Sequence, residues 1–251
     1  MGRPPADQPP TLTKRKDVLA IIVCYDTCEW TRDTIARIPA ARGYDVLLID
    51  DGSTDGTADV LRSGGLPVLL HRTNRGLGAA LKSGIASALD LGYEAVVVLA
   101  GNGKDDPAEI PRFLDALAAG HDYVQGSRFR PGGRHRNLPL GRHLLIRAHA
   151  LLVRLLTGFP ATDAVNGFRA YRLRLFRDER IDVWRDWLDR YEFESYLHCK
   201  VLTLGYRVTE VPVSKTYPSP RRGLRYSHIR PVVDWWRILS PWVMLKLGLR
   251  R

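Results

Sequence analysis

Two adjacent acids follow an apolar run in the first quarter of the sequence. The run DVLLI (45–49) leads directly into Asp50 and Asp51, and the turn-forming residues GSTDGT (52–57) come next. Turn preferences account for the residues GSTDGT (52–57), among which Asp55 is suited to cap a helix. They do not account for two neighbouring carboxylates, which repel each other unless a ligand's donors or a cation lie beside them. We therefore expect Asp50 and Asp51 to contact a ligand.

The run VVVLA (96–100) ends in a second unusual loop, GNGKDDP (101–107). Asp106 has an ordinary explanation there, because Pro107 follows it and Glu109 stands three residues on, as at a helix N-cap. The other polar side chains are an asparagine, a lysine and a further aspartate, which suit a hard cation or a phosphate group. We expect this loop to bind a charged ligand.

Short β-rich runs precede these loops and recur at intervals that leave room for one helix. The runs are 18–24, 45–49, 67–70, 94–100 and 122–126, with amphipathic stretches such as 77–92 between them. This alternation predicts an α/β fold with a mostly parallel central sheet and helices on both faces. Ligands of such sheets bind beyond the carboxyl ends of the strands. The loops after residues 24, 49, 70 and 99 should therefore form the site.

Most of the positive charge lies in the second half of the chain. Residues 1–120 hold 13 Lys and Arg against 16 Asp and Glu, whereas residues 121–251 hold 25 against 11, which together give the net charge of +11. This asymmetry predicts an anionic partner for the second half. The sequence lacks the signatures of an RNA-recognition sheet, a helix-turn-helix or paired Cys/His fingers, so we do not expect nucleic acid.

Four motifs, in this order, resemble the family-2 glycosyltransferases of GT-A fold, and among them the polyprenyl-phosphate (dolichol-phosphate) hexose synthases. They are IDDGSTDGT (49–57), NRGLGAALKSGI (74–85), QGSRF (125–129) and DAVNGFRAY (163–171). The resemblance covers roughly residues 18–213. It implies a GT-A fold and an inverting enzyme that transfers a hexose from a nucleotide-sugar, GDP-mannose or a UDP-hexose, to a polyprenyl phosphate.

By this resemblance the first loop and the paired-acid loop hold the donor nucleotide. The residues implied are Tyr25, Asp26, Asp50, Asp51, Ser53, Asn74, Gly76, Lys82 and Asn102. Relatives more often have proline before the tyrosine and asparagine after it, so Cys24 and Asp26 are departures from the family pattern.

We call the loop GNGKDDP (101–107) the opening loop. At the corresponding place relatives carry a D-x-D motif, often D-A-D-x-Q, which binds Mg²⁺ or Mn²⁺ and through it the donor diphosphate. Here Ala100, Asn102 and Lys104 occupy the aligned positions, and both motif acids are absent. Two hypotheses are open. Asn102 and Asp105 hold the divalent cation, or Lys104 neutralises the charge that develops on the leaving diphosphate.

The resemblance assigns Arg128 and Arg169 to the acceptor phosphate or the donor diphosphate, since the guanidinium fork suits phosphate oxygens. Asp163 caps a local helix break or lies close to the sugar. An acceptor phosphate is ionised at pH 7 and needs no general base. A hydroxyl acceptor would need one, and the candidates are then Asp163, Glu192 and Glu194. Two alternative functions are transfer to a soluble small molecule and a catalytically inactive domain that binds a nucleotide-sugar.

The chain divides into three predicted segments. Residues 1–16 are expected to be a disordered tail, 17–215 the glycosyltransferase domain, and 216–251 a basic, Trp-rich amphipathic segment. That last segment is expected to lie on an anionic membrane surface or, alternatively, to pack its tryptophans on the domain or a second subunit. With no signal peptide and three cysteines that we expect to be unbridged, the protein should be cytoplasmic and peripheral on the inner face of the membrane.

Overall fold

Nine strands and seven α-helices make up the computed structural model, which describes residues 12–217 and 233–246. The strands are β1 (Val18–Cys24), β2 (Asp45–Asp50), β3 (Val68–Leu70), β4 (Ala95–Ala100), β5 (Tyr123–Ser127), β6 (Arg134–Arg136), β7 (Arg169–Arg172), β8 (Val208–Pro212) and β9 (Ser214–Thr216). The helices are α1 (Cys28–Ala36), α2 (Thr57–Ser63), α3 (Leu77–Asp90), α4 (Ile110–Ala118), α5 (Leu140–Thr157), α6 (Glu192–Thr203) and α7 (Val233–Lys246).

Seven of the strands form one sheet in the order β3-β2-β1-β4-β7-β5-β8. Each neighbouring pair is parallel except those that involve β7, which runs antiparallel to β4 and β5. The two remaining strands, β6 and β9, form a small parallel sheet of their own. The predicted α/β fold with a mostly parallel sheet is confirmed, and the five predicted runs are β1 to β5.

Strand β1 shows why these runs are apolar at every position. Leu19, Ile21 and Val23 point into one hydrophobic cluster, which also receives residues of α3 and α6. Ala20 and Ile22 point into a second cluster on the opposite face, together with residues of α4. Because successive side chains of a strand alternate between faces, a strand covered on both sides must be apolar throughout. Its polar residues are therefore confined to the ends of the strand, where the site lies.

The predicted N-terminal tail is too long at its inner end. Residues 1–11 lie outside the described part of the chain, but residues 12–16 contact the domain. Lys14 Nζ donates to Gly92 O at 2.7 Å, and the backbone N–H groups of Arg15 and Lys16 both donate to Asp45 Oδ2, at 2.7 and 2.9 Å. The boundary at residue 215 also shifts slightly, because β9 continues to Thr216 and the Tyr217 side chain is buried.

Part of the C-terminal segment packs on the domain. Trp242 of α7 is 1 % exposed and lies between His149 of α5 and His198 of α6, with ring centroids 6.0 and 5.7 Å away. The alternative that the tryptophans pack on the domain therefore holds for this residue. Trp236, on the same helix, is 57 % exposed. Residues 218–232 and 247–251, which carry much of the predicted basic segment, lie outside the described residues.

Candidate active site

The loops after β1, β2 and β4 meet at one edge of the sheet because these strands are parallel neighbours. Asp51 N donates to Cys24 O at 3.0 Å, which joins the first two loops. Gly101 N donates to Val23 O at 2.8 Å, and Thr31 Oγ1 donates to Gly101 O at 3.2 Å. The opening loop GNGKDDP and the paired acids, far apart in the sequence, are thereby fixed beside each other.

The paired acids have different surroundings. Asp50 binds its own turn, with Oδ2 accepting from Ser53 N at 3.1 Å and Oδ1 accepting from Ser53 Oγ. Burial raises the pKa of Asp50, an effect that the hydrogen bonds from Ser53 only partly offset. Asp26, in the loop after β1, contacts the same turn: its N–H donates to Ser53 Oγ at 2.9 Å, and its Oδ1 accepts from Thr54 N at 2.8 Å. These contacts bring Asp26, Asp50 and Ser53 together.

Asp51 is the centre of the loop that follows β3. Its Oδ1 accepts from His71 Nδ1 at 2.7 Å and from Arg75 N at 3.0 Å, and its Oδ2 accepts from Asn74 Nδ2 at 3.1 Å and Gly76 N at 2.8 Å. Both carboxylate oxygens of Asp51 are bound internally, and 2 % of the residue is exposed. Asp51 therefore holds the loop after β3 in place. Asn74 and Gly76 lie beside it for the same reason.

Two predicted donor residues have structural tasks. Lys82 is 1 % exposed, and its Nζ donates to Asp189 Oδ1 at 2.6 Å and to Arg185 O at 2.7 Å. It therefore fixes the segment before α6 against α3. Gly76, with φ of 105°, lies so close to that segment that a Cβ would be 2.4 Å from Asp189 O. Tyr25 is half-buried at the start of the first loop.

In the opening loop, Asp106 is a helix N-cap, as predicted, with Oδ1 accepting from Ala108 N at 3.1 Å. Asn102 is half-buried, and its Oδ1 lies 3.4 Å from Lys104 N. Asp105 is fully buried, and its Oδ1 accepts from Lys215 Nζ of β9 at 2.7 Å. The two predicted metal ligands therefore have different environments: Asn102 lies near the surface of the loop, and Asp105 belongs to an internal ion pair.

Lys104 is buried among other cations. It is 7 % exposed, and its carbonyl accepts from Thr216 N at 3.1 Å, which ties the loop to β9. Burial, and next the charges of Lys215 and Arg142, lower the pKa of Lys104 to about 7. The side chain is therefore held in an electrostatic environment that favours the arrival of an anion.

This arrangement does not fit a divalent cation well. Within residues 12–217 and 233–246, no three His, Cys, Asp or Glu side chains are grouped closely enough to hold a metal ion. A hard cation takes several oxygen ligands, but the one buried carboxylate of the loop, Asp105, already binds the ammonium group of Lys215. The hypothesis of a metal held by Asn102 and Asp105 is not supported.

Arg128 and Asp163 form a buried pair at the end of β5. The guanidinium donates from Nε to Asp163 Oδ2 at 2.6 Å and from Nη2 to Oδ1 at 2.7 Å, and its Nη1 donates to the Tyr217 hydroxyl. Asp163 is in turn positioned by Glu210, whose Oε1 accepts from Asp163 N at 3.1 Å and from Thr162 N at 2.7 Å. Tyr217 links Arg128 to the opening loop, because the preceding residue, Thr216, donates its N–H to Lys104 O at 3.1 Å.

Arg169 is held by internal contacts, which do not support its predicted role at a phosphate. Its side chain is 1 % exposed and donates to Asn166 O at 2.7 Å, Tyr123 OH at 2.9 Å and Glu194 O at 2.8 Å. The Glu194 carboxylate is 3.5 Å from its Nε. The Arg169 side chain joins the central strand β7 to α6.

The remaining candidate bases are also occupied. Glu194 pairs with Arg169, and Glu192 lies 3.5 Å from Arg237 of α7. Local sequence patterns do not mark Lys215, Asn166 and Glu210 as site residues, because their roles depend on the approach of β8 and β9 to the opening loop. Asn166 did lie inside the motif DAVNGFRAY, which was the one available signal.

Comparison with known proteins identifies the family. The glycosyl transferase family 2 profile matches residues 19–180. The chain is 36% identical over 203 residues to the undecaprenyl-phosphate mannosyltransferase of Micrococcus luteus, covering 78% of this chain and 82% of the relative. It is 34% identical over 217 residues to the polyprenol monophosphomannose synthase of Mycolicibacterium smegmatis, covering 84% and 81%.

A solved structure supports the same fold. Glucosyl-3-phosphoglycerate synthase from Mycobacterium tuberculosis, crystallised with Mn²⁺, UDP and glucosyl-3-phosphoglycerate, superposes with a TM-score of 0.66 at 17% identity, covering 94% of this chain and 82% of that one. This likeness concerns the fold alone, and it confirms the predicted GT-A architecture. From the profile match and the two relatives, the chain belongs to glycosyl transferase family 2.

Proposed function

We propose that the protein transfers a hexose from a nucleotide-sugar to a polyprenyl phosphate. The relatives described above, named for undecaprenyl phosphate and polyprenol, support this acceptor. The observation that carries the proposal is the joining of the paired-acid loop and a cation-rich opening loop at one edge of the sheet. The paired-acid loop suits the nucleoside of the donor, and the opening loop suits its diphosphate.

The proposed reaction is a single displacement with inversion. An oxygen of the acceptor phosphate attacks the anomeric carbon of the sugar, the bond from that carbon to the diphosphate oxygen breaks, and the nucleoside diphosphate leaves with the bonding electrons. Because the acceptor phosphate is already ionised at pH 7, orientation replaces proton removal. The internal pairing of Asp163 and Glu194 is consistent with a reaction that needs no general base.

A lipid acceptor requires a surface that meets the membrane, and we propose that α5 provides it. Its exposed leucines Leu140, Leu144, Leu151 and Leu155 are separated by four, seven and four residues, which gives a single stripe on a helix. They are 55–75 % exposed. A solvent-exposed stripe of this kind is typical of a helix that lies in a membrane interface.

The charge around the stripe fits an anionic bilayer. No Asp or Glu occurs between residues 123 and 162, while Arg147 and Arg154 flank the leucines. Four leucines inserted halfway contribute about 3–6 kcal/mol, and two arginines contribute about 2 kcal/mol. The sum approaches the roughly 8 kcal/mol of micromolar binding. No helix in the described part of the chain is long and apolar enough to cross a bilayer. From the leucine stripe and its flanking arginines, we propose peripheral attachment at the cytoplasmic face.

Vesicle sedimentation tests the membrane surface. The variant Leu151→Gln with Leu155→Gln should lose most of its binding to phosphatidylglycerol vesicles and keep its thermal stability, because both side chains already face solvent. Leu91→Gln is the matched control, since Leu91 is 38 % exposed at the end of α3. Equal binding by all three proteins would remove α5 from the membrane interface.

Product formation tests the activity itself. The full-length protein is incubated with polyprenyl phosphate and a panel of radiolabelled nucleotide-sugars that includes GDP-mannose and UDP-hexoses. We expect label to enter the organic-solvent phase with one of the donors. Label that enters only a water-soluble product would identify a soluble acceptor, and donor binding without any transfer would identify a catalytically inactive domain.

A further inference from the structure

Two lysines and two arginines surround the inner end of the opening loop. Lys215 Nζ binds Asp105 Oδ1 at 2.7 Å, and Arg128 binds Asp163. The charges of Lys215, Arg142 and Arg128 all act on Lys104. Arg142 of α5 lies over Tyr217, with its guanidinium 5.4 Å from the centre of the ring, and the Tyr217 hydroxyl accepts from Arg128. We call Lys104, Lys215, Arg128 and Arg142 the cation cluster.

We propose that the cation cluster, with Lys104 as the residue in contact, binds the donor diphosphate in the place of a divalent metal ion, so that donor binding and transfer need no metal. This inference rests on the proposed function, because it assigns a ligand to the diphosphate loop. It differs from the arrangement that the family resemblance implies, in which two acids hold the ion.

Charge balance supports the substitution. Lys215 pairs with Asp105 and Arg128 pairs with Asp163, and Lys104 and Arg142 add two further basic side chains, so that basic groups outnumber these two carboxylates. The cluster is largely buried, since Lys104, Lys215 and Arg128 are 7, 9 and 3 % exposed. Like charges held together away from water repel one another, and a diphosphate would relieve this repulsion. A metal ion arriving at the same place would increase it.

Two buried polar atoms beside the cluster add a second, independent observation. Lys215 Nζ also donates to Asn166 Oδ1 at 2.8 Å. The other side-chain atoms of these partners, Asp105 Oδ2 and Asn166 Nδ2, are buried without a hydrogen-bond partner among the described residues. Buried polar groups are generally satisfied. The Asn166 amide is a donor suited to a phosphate oxygen, and the Asp105 oxygen is an acceptor suited to a sugar hydroxyl.

The first test measures binding to the unaltered protein by calorimetry, with UDP, GDP and inorganic pyrophosphate as probes. We expect pyrophosphate and one nucleotide to bind in the presence of EDTA, and the affinity to change less than about twofold when Mg²⁺ or Mn²⁺ replaces the chelator. Binding that disappears in EDTA and returns with the metal would overturn the inference. This arm requires no variant.

The second test removes one charge. Lys104→Gln should weaken binding of pyrophosphate and of the nucleotide in EDTA by about ten- to hundredfold, the effect of losing a charge-assisted hydrogen bond. Lys200→Gln removes a charge from α6 and is the control. Thermal unfolding checks that both variants fold. Equal weakening by the two substitutions would indicate only the overall charge and would contradict a site at Lys104.

The outcomes separate this inference from the proposed function. Transfer of sugar that depends strictly on added metal would overturn the inference and leave the activity standing. Absence of nucleotide binding both with metal and with EDTA would contradict the proposed function and the inference together. Transfer in EDTA that is lost in Lys104→Gln and retained in Lys200→Gln is the result that we expect.

Discussion

The Arg128 guanidinium holds the Asp163 carboxylate through two parallel hydrogen bonds, Nε to Oδ2 at 2.6 Å and Nη2 to Oδ1 at 2.7 Å, and neither residue is more than 3 % exposed. The family resemblance implied that Arg128 would bind a phosphate. In the structure most of its donors serve Asp163 and Tyr217, so its first contribution is to stability. The positive charge that it adds to the cation cluster acts over a longer distance.

Removing one partner of this pair should be costly. Arg128→Ala leaves Asp163 as a buried, uncompensated charge, so we expect a loss of about 3–5 kcal/mol in the free energy of unfolding, measured by urea denaturation. The double variant Arg128→Met with Asp163→Asn should regain part of that loss, because no charge then remains buried. The exposed Arg134→Ala is the control and should change stability by less than about 0.5 kcal/mol. A stable Arg128→Ala protein would show that the pair is not essential to the fold.

The same pair predicts how stability responds to acid. Burial alone would raise the pKa of Asp163, but the charge of Arg128 and its hydrogen bonds lower the pKa below the ordinary value of 3.8. A carboxylate with a depressed pKa contributes stability above its unfolded-state pKa, and that contribution is lost as the pH falls through the folded-state value. The melting temperature should therefore decrease as the pH is lowered below 3.8. The fall should be shallower in Asp163→Asn, and identical pH profiles would exclude Asp163 as a cause.

Arg169 gives a contrasting prediction about function. Because its donors bind Tyr123, Asn166 and the α6 backbone, Arg169→Met should lower the free energy of unfolding by several kcal/mol. The concentration of acceptor that gives half-maximal rate should stay within about threefold for the fraction that remains folded. Restoring the charge balance with Glu194→Gln should recover part of the stability. A large loss of acceptor affinity at unchanged stability would return Arg169 to the phosphate site.

The strands and motifs could be predicted from the sequence because both depend on local patterns. Buried parallel strands are apolar at every position, and turn residues mark where they end. The apolar run before Asp50 and Asp51 also predicted that the paired acids lie at the end of a strand. Asp106 was identified as a cap for a local reason, the proline and acid that follow it.

The long-range partners could not be predicted in this way. Lys215 lies 110 residues from Asp105, and Asp189 lies 107 residues from Lys82. A charged residue in a sequence carries no sign of whether it faces a ligand or an internal ion pair. The resemblance therefore identified Arg128, Arg169 and Lys82 as site residues, whereas the fold uses their charges largely to hold segments together.

Asp51 illustrates how a motif residue serves the site indirectly. Its four hydrogen bonds hold the backbone and side chains of residues 71–76. Asp51→Ala should therefore lower the melting temperature of the ligand-free protein as well as remove the stabilisation by nucleotide. Asp50→Ala, which breaks contacts with Ser53 alone, should affect the ligand-free protein less. A ligand-free Asp51→Ala protein as stable as the wild type would mean that the loop does not depend on this carboxylate.

The side chains at positions 24 and 101 compete for the same space, so Cys24 requires a glycine at Gly101. Where relatives more often have proline before the tyrosine and alanine inside D-A-D, this chain has Cys24 and Gly101. A Cβ at Gly101 would lie 2.1 Å from Cys24 Sγ, far inside van der Waals contact, and Cys24 itself is 1 % exposed. The sulfur atom therefore occupies the space that the alanine methyl group would need.

This contact predicts a coupling that urea denaturation can measure. Gly101→Ala alone should destabilise the protein by about 1–3 kcal/mol through overpacking. Cys24→Ala alone should lose the packing of the sulfur atom. The double variant should be at least about 1 kcal/mol more stable than the sum of the single losses predicts, because the smaller side chain makes room for the methyl group. Strictly additive losses would show that the sulfur moves aside freely. Because Gly101 begins the opening loop, nucleotide binding should weaken in Gly101→Ala and recover in the double variant, which would link this packing to the shape of the diphosphate site.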